Sequence, residues 1–266
     1  MTRLLAVLAA CVAFACSADT SSHVVRLATT TSVYDTGLMD TLVAAFSRQH
    51  PDHSVRVVAV GTGQALALGE RKDADVVLVH APEREIQFVS DGHGLRRTTL
   101  MRNDFVIAGP QADPARIAEA TDVADALTRI WNAAADFASR GDDSGTHIRE
   151  RSLWRLAGKT PGGEWYKEVG QGMGGTLLFA SETGAYVLTD RATLTVLQRN
   201  GIQLPELYAE DPPLDNPYSL IVVRDTPGLA GAQVFESWMS SGAAMEIITE
   251  FGRSEYGAPL FRRVAE

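Results

Sequence analysis

The sequence predicts an α/β protein of two lobes. Three observations carry this. Short apolar runs alternate with segments of helical spacing from Val24 to Asp91, a βαβαβ rhythm. A second half of similar rhythm is centred on Arg140. In both halves the predicted strands open onto loops rich in Thr, Ser and Gly, where ligands of parallel sheets sit.

The N-terminus reads as a targeting segment over residues 1–22. Arg3 is a short basic region, Leu4 to Phe14 is apolar, and Ala13-Phe14-Ala15 fits the small-x-small cleavage rule. Both cysteines, Cys11 and Cys16, lie inside it. Leu8-Ala9-Ala10-Cys11 resembles a bacterial lipobox and Ala13-Phe14-Ala15-Cys16 is a poorer match, so lipidation and plain cleavage both stay open. From about His23 onward there is no cysteine, hence no disulfide, thiol nucleophile or thiolate metal site. The expectation is an exported soluble domain, tethered or free.

The elements follow in order. Val24 to Ala28 is a buried strand that delivers Thr29-Thr30-Thr31-Ser32, and Val33 to Gln49 has helical spacing. Ser54 to Val60 is a strand leading into Gly61-Thr62-Gly63, with a helix from Ala65 to Glu70. Asp75 to Val79 is a strand and Pro82 to Asp91 a helix, which completes a lobe with a parallel sheet. Met101 to Ala108 is a strand, followed by helices at Pro114 to Ala120 and Val123 to Ala134. Phe137-Ala138 feeds a loop from Ser139 to His147, and a helix runs from Ile148 to Leu156. A glycine-dense run, Gly170 to Gly175, opens a helix from Thr176 to Glu182. Ala185 to Thr189 is a strand, Asp190 to Thr193 its exit turn, and Leu194 to Arg199 a helix. Tyr218 to Val223 is strand-like, and helices at Leu229 to Ser240 and Ala243 to Glu250 close the chain. Segments near Asp104 to Ile107 and Pro217 to Val222 are the expected crossings. The first lobe is thus expected to hold residues 23–104 and 216–266, and the second 105–215.

A formal net charge of −9 and a pI of about 5.2 argue against a nucleic-acid partner. An anionic ligand would need a local concentration of donors instead. Two stretches offer one. Thr29 to Ser32 and Gly61-Thr62-Gly63 are strand–turn–helix junctions, which aim helix N-terminal amides at an anion. Ser139-Arg140-Gly141-Asp142-Asp143-Ser144-Gly145-Thr146-His147 adds a fixed cation with a planar fork of donors, hydroxyls, and glycines that let backbone approach a ligand. Each loop alone also reads as ordinary helix capping. Together they could surround a tetrahedral oxyanion.

Other chemistries find less support. Ser139, Asp142, Asp143 and His147 contain the residue types of a nucleophilic triad, but no Gly-x-Ser-x-Gly elbow is present and His147 is expected to face solvent. Asp142, Asp143 and His147 lack a second histidine spaced for metal. Gly170, Gly172 and Gly175 resemble a dinucleotide fingerprint without its strand and acidic partner, and read as a close-packed loop lining a cleft or as a flexible turn. Asp190 reads as a turn cap, or as a carboxylate that holds Arg191 or Arg140.

Thr29-Thr30-Thr31-Ser32, the Ser139 to Thr146 loop, Gly172-Met173-Gly174-Gly175-Thr176-Leu177 and Leu188-Thr189-Asp190-Arg191, in this order, resemble the tungstate-binding proteins of bacterial ABC transporters. The similarity runs from about Val24 to Phe261 and includes Asn216-Pro217-Tyr218. The resemblance implies a periplasmic-binding fold of the type with two crossings. It implies that Thr30, Thr31, Ser32 and Arg140 bind tungstate, or closely similar molybdate, with Gly61, Thr62 and Ser144 or Thr146 lining the site. It further implies a periplasmic monomer that hands its anion to a permease in the inner membrane, with no cofactor, no metal and no turnover. Arg140-x-Asp142-x-Ser144-Gly145-Thr146 also resembles a loop of phosphate-binding proteins. Tungstate at neutral pH carries no proton and needs donors only. Phosphate keeps a proton, for which Asp142 or Asp143 could be the acceptor. A serine-type hydrolase and a sensory domain are the readings from other classes.

Overall fold

A computed structural model describes residues 23–264. The expected signal peptide and both cysteines lie outside the described residues. The chain begins with β1 (His23–Thr30), α1 (Thr31–Asp35), α2 (Leu38–Gln49), β2 (His53–Val60), α3 (Thr62–Glu70), β3 (Val76–Val79), α4 (Pro82–Ser90) and a long β4 (Gly94–Ala108). It continues through α5 (Val123–Ala133), β5 (Phe137–Ser139), α6 (Gly145–Leu156), β6 (Tyr166–Glu168), α7 (Met173–Thr183), β7 (Tyr186–Asp190), α8 (Arg191–Arg199) and β8 (Glu206–Tyr208). It closes with β9 (Asp215–Val223), α9 (Leu229–Met239), α10 (Gly242–Glu250), α11 (Arg253–Tyr256) and β10 (Arg262–Arg263).

The strands run in the order β2-β1-β3-β9-β4-β7-β5-β6, with β8 and β10 added on β4. β1 pairs parallel with β2 and β3, and β5 pairs parallel with β6 and β7. Between these groups β9 and β4 are antiparallel to their neighbours, so the expected parallel sheet is mixed. β4 and β9 are the two long connections. β4 pairs with β9 from Gly94 to Asp104 and with β7 from Phe105 to Ala108.

Alternation along the strands explains the layers, because successive side chains leave a strand on opposite faces. In the first lobe Val25, Leu27, Leu78 and Leu220 pack against Leu42, Phe46 and Phe235 on one side. Ala28, Val77 and Ile221 pack against Ala65, Leu66 and Phe88 on the other. In the second lobe Phe105, Ile107, Tyr186 and Leu188 face Ile130, Leu153 and Trp154. Val106, Ala108 and Val187 face Met173, Leu177 and Ala180. Each large apolar side chain buried this way contributes roughly 1.5–3 kcal/mol.

Four elements differ from expectation. The helix expected from Val33 to Gln49 is broken. Gly37 adopts φ +82°, and the Thr36 hydroxyl donates to the Val33 carbonyl at 2.7 Å and accepts from the Leu38 amide at 3.3 Å. This closes α1 after five residues and leaves its N-terminus aimed independently of α2. Pro114 to Ala120 forms only a 3-10 turn at Ile117–Glu119, since Arg116 adopts φ +57°. β4 starts at Gly94, before the expected Met101. Asp190 to Thr193 is not an exit turn but the cap and first turn of α8.

Candidate functional site

Five strands of the two lobes end at one place: β1 at Thr30, β2 before Gly61, β3 before His80, β5 before Arg140, and β7 at Asp190. Contacts join their turns. A Cβ placed on Gly61 would lie 3.9 Å from both the Asp142 carbonyl and Ser144 Cα. One on Gly172, which caps α7, would lie 4.0 Å from Thr31 Oγ1. Arg84 on α4 donates twice to the Asp143 carboxylate, at 2.7 and 2.8 Å, and ties the lobes together.

The first lobe brings Thr30, Ser32 and Thr62 into burial, with Thr30 Oγ1 and Ser32 Oγ 3.2 Å apart. Thr31, between them, is half-buried. No side chain caps the N-termini of α1, α3 or α7, so their first amides keep their donors free of protein side chains. In the second lobe Arg140 is 3% exposed, and its Nε and Nη2 both donate to Asp142 Oδ2. Gly141, at φ +60°, brings the turn so close to β6 that a Cβ would lie 2.7 Å from the Glu168 Cβ. Ser144 caps α6 by accepting from the His147 amide at 3.3 Å, and its own amide donates to Asp142 Oδ1 at 3.2 Å. Among the described residues Thr62 Oγ1 and Thr146 Oγ1 are buried hydroxyls without a hydrogen-bond partner. Leaving such a group unpaired costs about 1–3 kcal/mol.

Charges at the turns share one field. Burial raises the Asp35 carboxyl above its usual range; Arg140 opposes this and Asp190 adds to it. Burial would also raise Asp142, but the Arg140 guanidinium and the Ser144 hydrogen bonds bring it below the usual carboxylate range. Asp142 is therefore ionised and committed to Arg140, and Asp143 is committed to Arg84.

Two expectations need correction. His147 does not face solvent. It is 7% exposed, burial lowers its pKa, and its Nδ1 accepts from the Asp143 amide at 3.0 Å. It therefore does not serve Ser139 as a base through that nitrogen. Asp190 holds neither Arg191 nor Arg140. It accepts from Asn103 Nδ2 at 3.0 Å, the Thr193 amide at 2.9 Å and the Thr193 hydroxyl at 2.7 Å. Arg191 instead pairs with Glu206 and Asp104.

The sequence reading missed a buried polar chain behind the turns. His80 directly follows β3 and stacks on Tyr218, with ring centroids 4.7 Å apart. Burial pushes its imidazole down to about 4, against the hydrogen bond to Asn216 that raises it. Asn216 Nδ2 donates to Asn103 Oδ1 at 2.6 Å, so Asn216 Oδ1 accepts from His80 Nδ1–H at 2.9 Å. Asn103 passes the chain on to Asp190. Asn103 and Asn216 face each other on β4 and β9, so the chain runs through both connections.

Below Arg140, Glu150 on α6 is buried and accepts from the Tyr166 hydroxyl at 2.6 Å. Burial pushes its pKa up to about 7 against that hydrogen bond. Because the folded value exceeds the ordinary one, its contribution to stability is full below about pH 4.5 and is lost as pH rises through 7. The difference amounts to roughly 3 kcal/mol. Glu150→Gln is expected to stabilise the fold by up to about that amount at pH 8 and by little at pH 4.5. Denaturant titrations at the two pH values check this; an equal effect at both would contradict it.

A family model described as the PBP superfamily domain matches residues 17–242. The chain is 42% identical to the tungstate-binding protein TupA of Peptoclostridium acidaminophilum over 241 residues, which cover 88% of this chain and 84% of that one. Its structure is similar to the crystal structure of the tungstate ABC transporter from Geobacter sulfurreducens, with a TM-score of 0.79 and 41% identity over 87% of this chain and 100% of that one. The tungstate-binding protein TupA from Desulfovibrio alaskensis matches with a TM-score of 0.75 and 41% identity over 91% and 99% of the two chains.

Proposed function

Because the chain belongs to the PBP superfamily and, within it, to the tungstate-binding proteins, we propose that it captures tungstate, or the closely similar molybdate, between its lobes and delivers it to an ABC permease. The observation that carries this reading is the gathering of uncapped helix N-termini and buried, unpaired hydroxyls where the two lobes touch. An unprotonated tetrahedral dianion only accepts hydrogen bonds, and these groups can donate them. Thr30, Thr31, Ser32, Gly61 and Thr62 hold the anion from the first lobe. Arg140, Ser144 and Thr146 hold it from the second. Residues 23–104 and 216–266 move as one body against 105–215, and the protein works as an exported monomer that closes on its ligand without turnover.

The phosphate alternative needs a carboxylate to accept the proton that phosphate retains. Asp142 is engaged by Arg140 and the Ser144 amide, and Asp143 by Arg84, which disfavours it. A hydroxyl forced against a donor-only cradle leaves one donor unpaired, at about 1–3 kcal/mol. Calorimetric titration with tungstate, molybdate and phosphate in turn is the test. Tungstate is expected to bind at least about tenfold more tightly than phosphate. Phosphate binding as tight as tungstate would overturn the assignment.

A further inference from the structure

Arg149 differs from the other arginines around the turns. Arg140 is compensated by Asp142, Arg84 by Asp143, and Arg191 by Glu206 and Asp104. Among the described residues Arg149 has no ion pair. Its guanidinium lies 5.9 Å from the centre of the Phe105 ring, and its Nη2 reaches the Asp215 carbonyl at 3.4 Å. Burial lowers its pKa, while Asp215 and Glu83 act on it only through their fields. A half-buried cation without a carboxylate is costly and is more useful to a protein that binds anions than to one that does not.

Its position makes that use specific. Arg149 lies four residues after Gly145 on α6, so the two share a face of the helix. Together with His80, Pro82 and Glu83 from the first lobe they line a cavity of about 90 Å³ beside the Ser144 turn. Arg149 and Arg140 both act on the His80 ring through their fields. The chain as a whole carries −9, so a dianion approaching it meets net repulsion. The Arg140–Asp142 pair is close to neutral when seen from outside.

Resting on the proposed anion capture, we infer that Arg149 is the steering residue of the site: its charge, which is held in no ion pair among the described residues, draws the dianion into the cleft from beside the α6 N-terminus. It governs the encounter, whereas Arg140 and the hydroxyls hold the anion after arrival. Steering of this kind changes the association rate and its salt dependence, and leaves dissociation nearly untouched.

Stopped-flow tryptophan fluorescence with tungstate, over a range of ionic strength, tests this. At low salt Arg149→Gln is expected to lower the association rate roughly three- to tenfold. The dissociation rate should stay within about twofold, and the association deficit should shrink as salt screens the field. Arg149→Lys, which keeps the charge but not the guanidinium over the Phe105 ring, is expected to associate at the wild-type rate. An unchanged association rate in Arg149→Gln overturns the inference, and so does an Arg149→Lys variant as slow as Arg149→Gln. A raised dissociation rate would make Arg149 a direct ligand instead and equally overturn steering. Failure of the wild-type protein to bind tungstate would be a separate result, which removes the capture reading itself.

Discussion

Arg140→Ala is expected to weaken tungstate binding by about a hundredfold or more. Two losses add. The first is the charge-assisted hydrogen bonding of a guanidinium that is almost fully buried, worth roughly 1.5–3 kcal/mol for each bond to a charged group. The second arises from Asp142. Its carboxylate is 20% exposed and held by Arg140, so truncation leaves a bare negative charge beside a dianion. Asp142→Ala added to Arg140→Ala removes that second loss and is expected to recover part of the affinity. Calorimetry on the single and double variants measures both. An Arg140→Ala affinity within about threefold of wild type would take Arg140 out of the site.

Gly145→Ala is expected to cost roughly ten- to a hundredfold in affinity, with the fold intact. A Cβ at this position would lie 2.7 Å from His80 Nε2 and 2.9 Å from two ring carbons. The His80 ring cannot retreat. It is stacked on Tyr218 and tied to Asn216, and Phe105 lies beyond it at 5.9 Å. The strain of about 1–3 kcal/mol is relieved by moving the α6 N-terminus away from the β3 turn, which separates the lobes. Apparent affinity falls because the closed state is the one that binds. Calorimetry with small-angle scattering checks this: the liganded variant should be more open than wild type. Unaltered affinity and unaltered scattering would show that the lobes close without the His80–Gly145 contact.

The α/β rhythm and the hydroxyl-rich turns at the strand ends were legible in the sequence for a local reason. At Thr29 to Ser32, Gly61-Thr62 and Ser144 to Thr146, hydroxyls and glycines directly follow short apolar runs, and that order is a strand end opening a helix. Features made by tertiary partners were not legible. The first half of β4 contains Leu95-Arg96-Arg97-Thr98-Thr99, a mostly polar stretch that becomes a strand because β9 lies along it. The helical spacing of Leu38, Leu42 and Phe46 lies wholly beyond Gly37 and so says nothing of the break or of α1 before it. Asn103 and Asn216 are single polar residues more than a hundred positions apart, and only strand pairing brings them face to face. The polar setting of His147 pointed outward, yet its burial follows from the fold of its own loop, where Asp143 at φ +58° turns an amide onto the ring. Nothing local in the sequence marks Arg149, and only the ion pairs of its neighbours single it out.

The central claim is that one anion sits between the two lobes, held by donors from both. Anomalous diffraction at a tungsten absorption edge, on crystals grown with tungstate, locates that atom without assumption. The account predicts a single strong peak with hydroxyls and amides of Thr30 to Ser32 and Thr62 on one side and the Arg140 guanidinium and Thr146 on the other. A peak elsewhere, or one contacted by a single lobe, would contradict it.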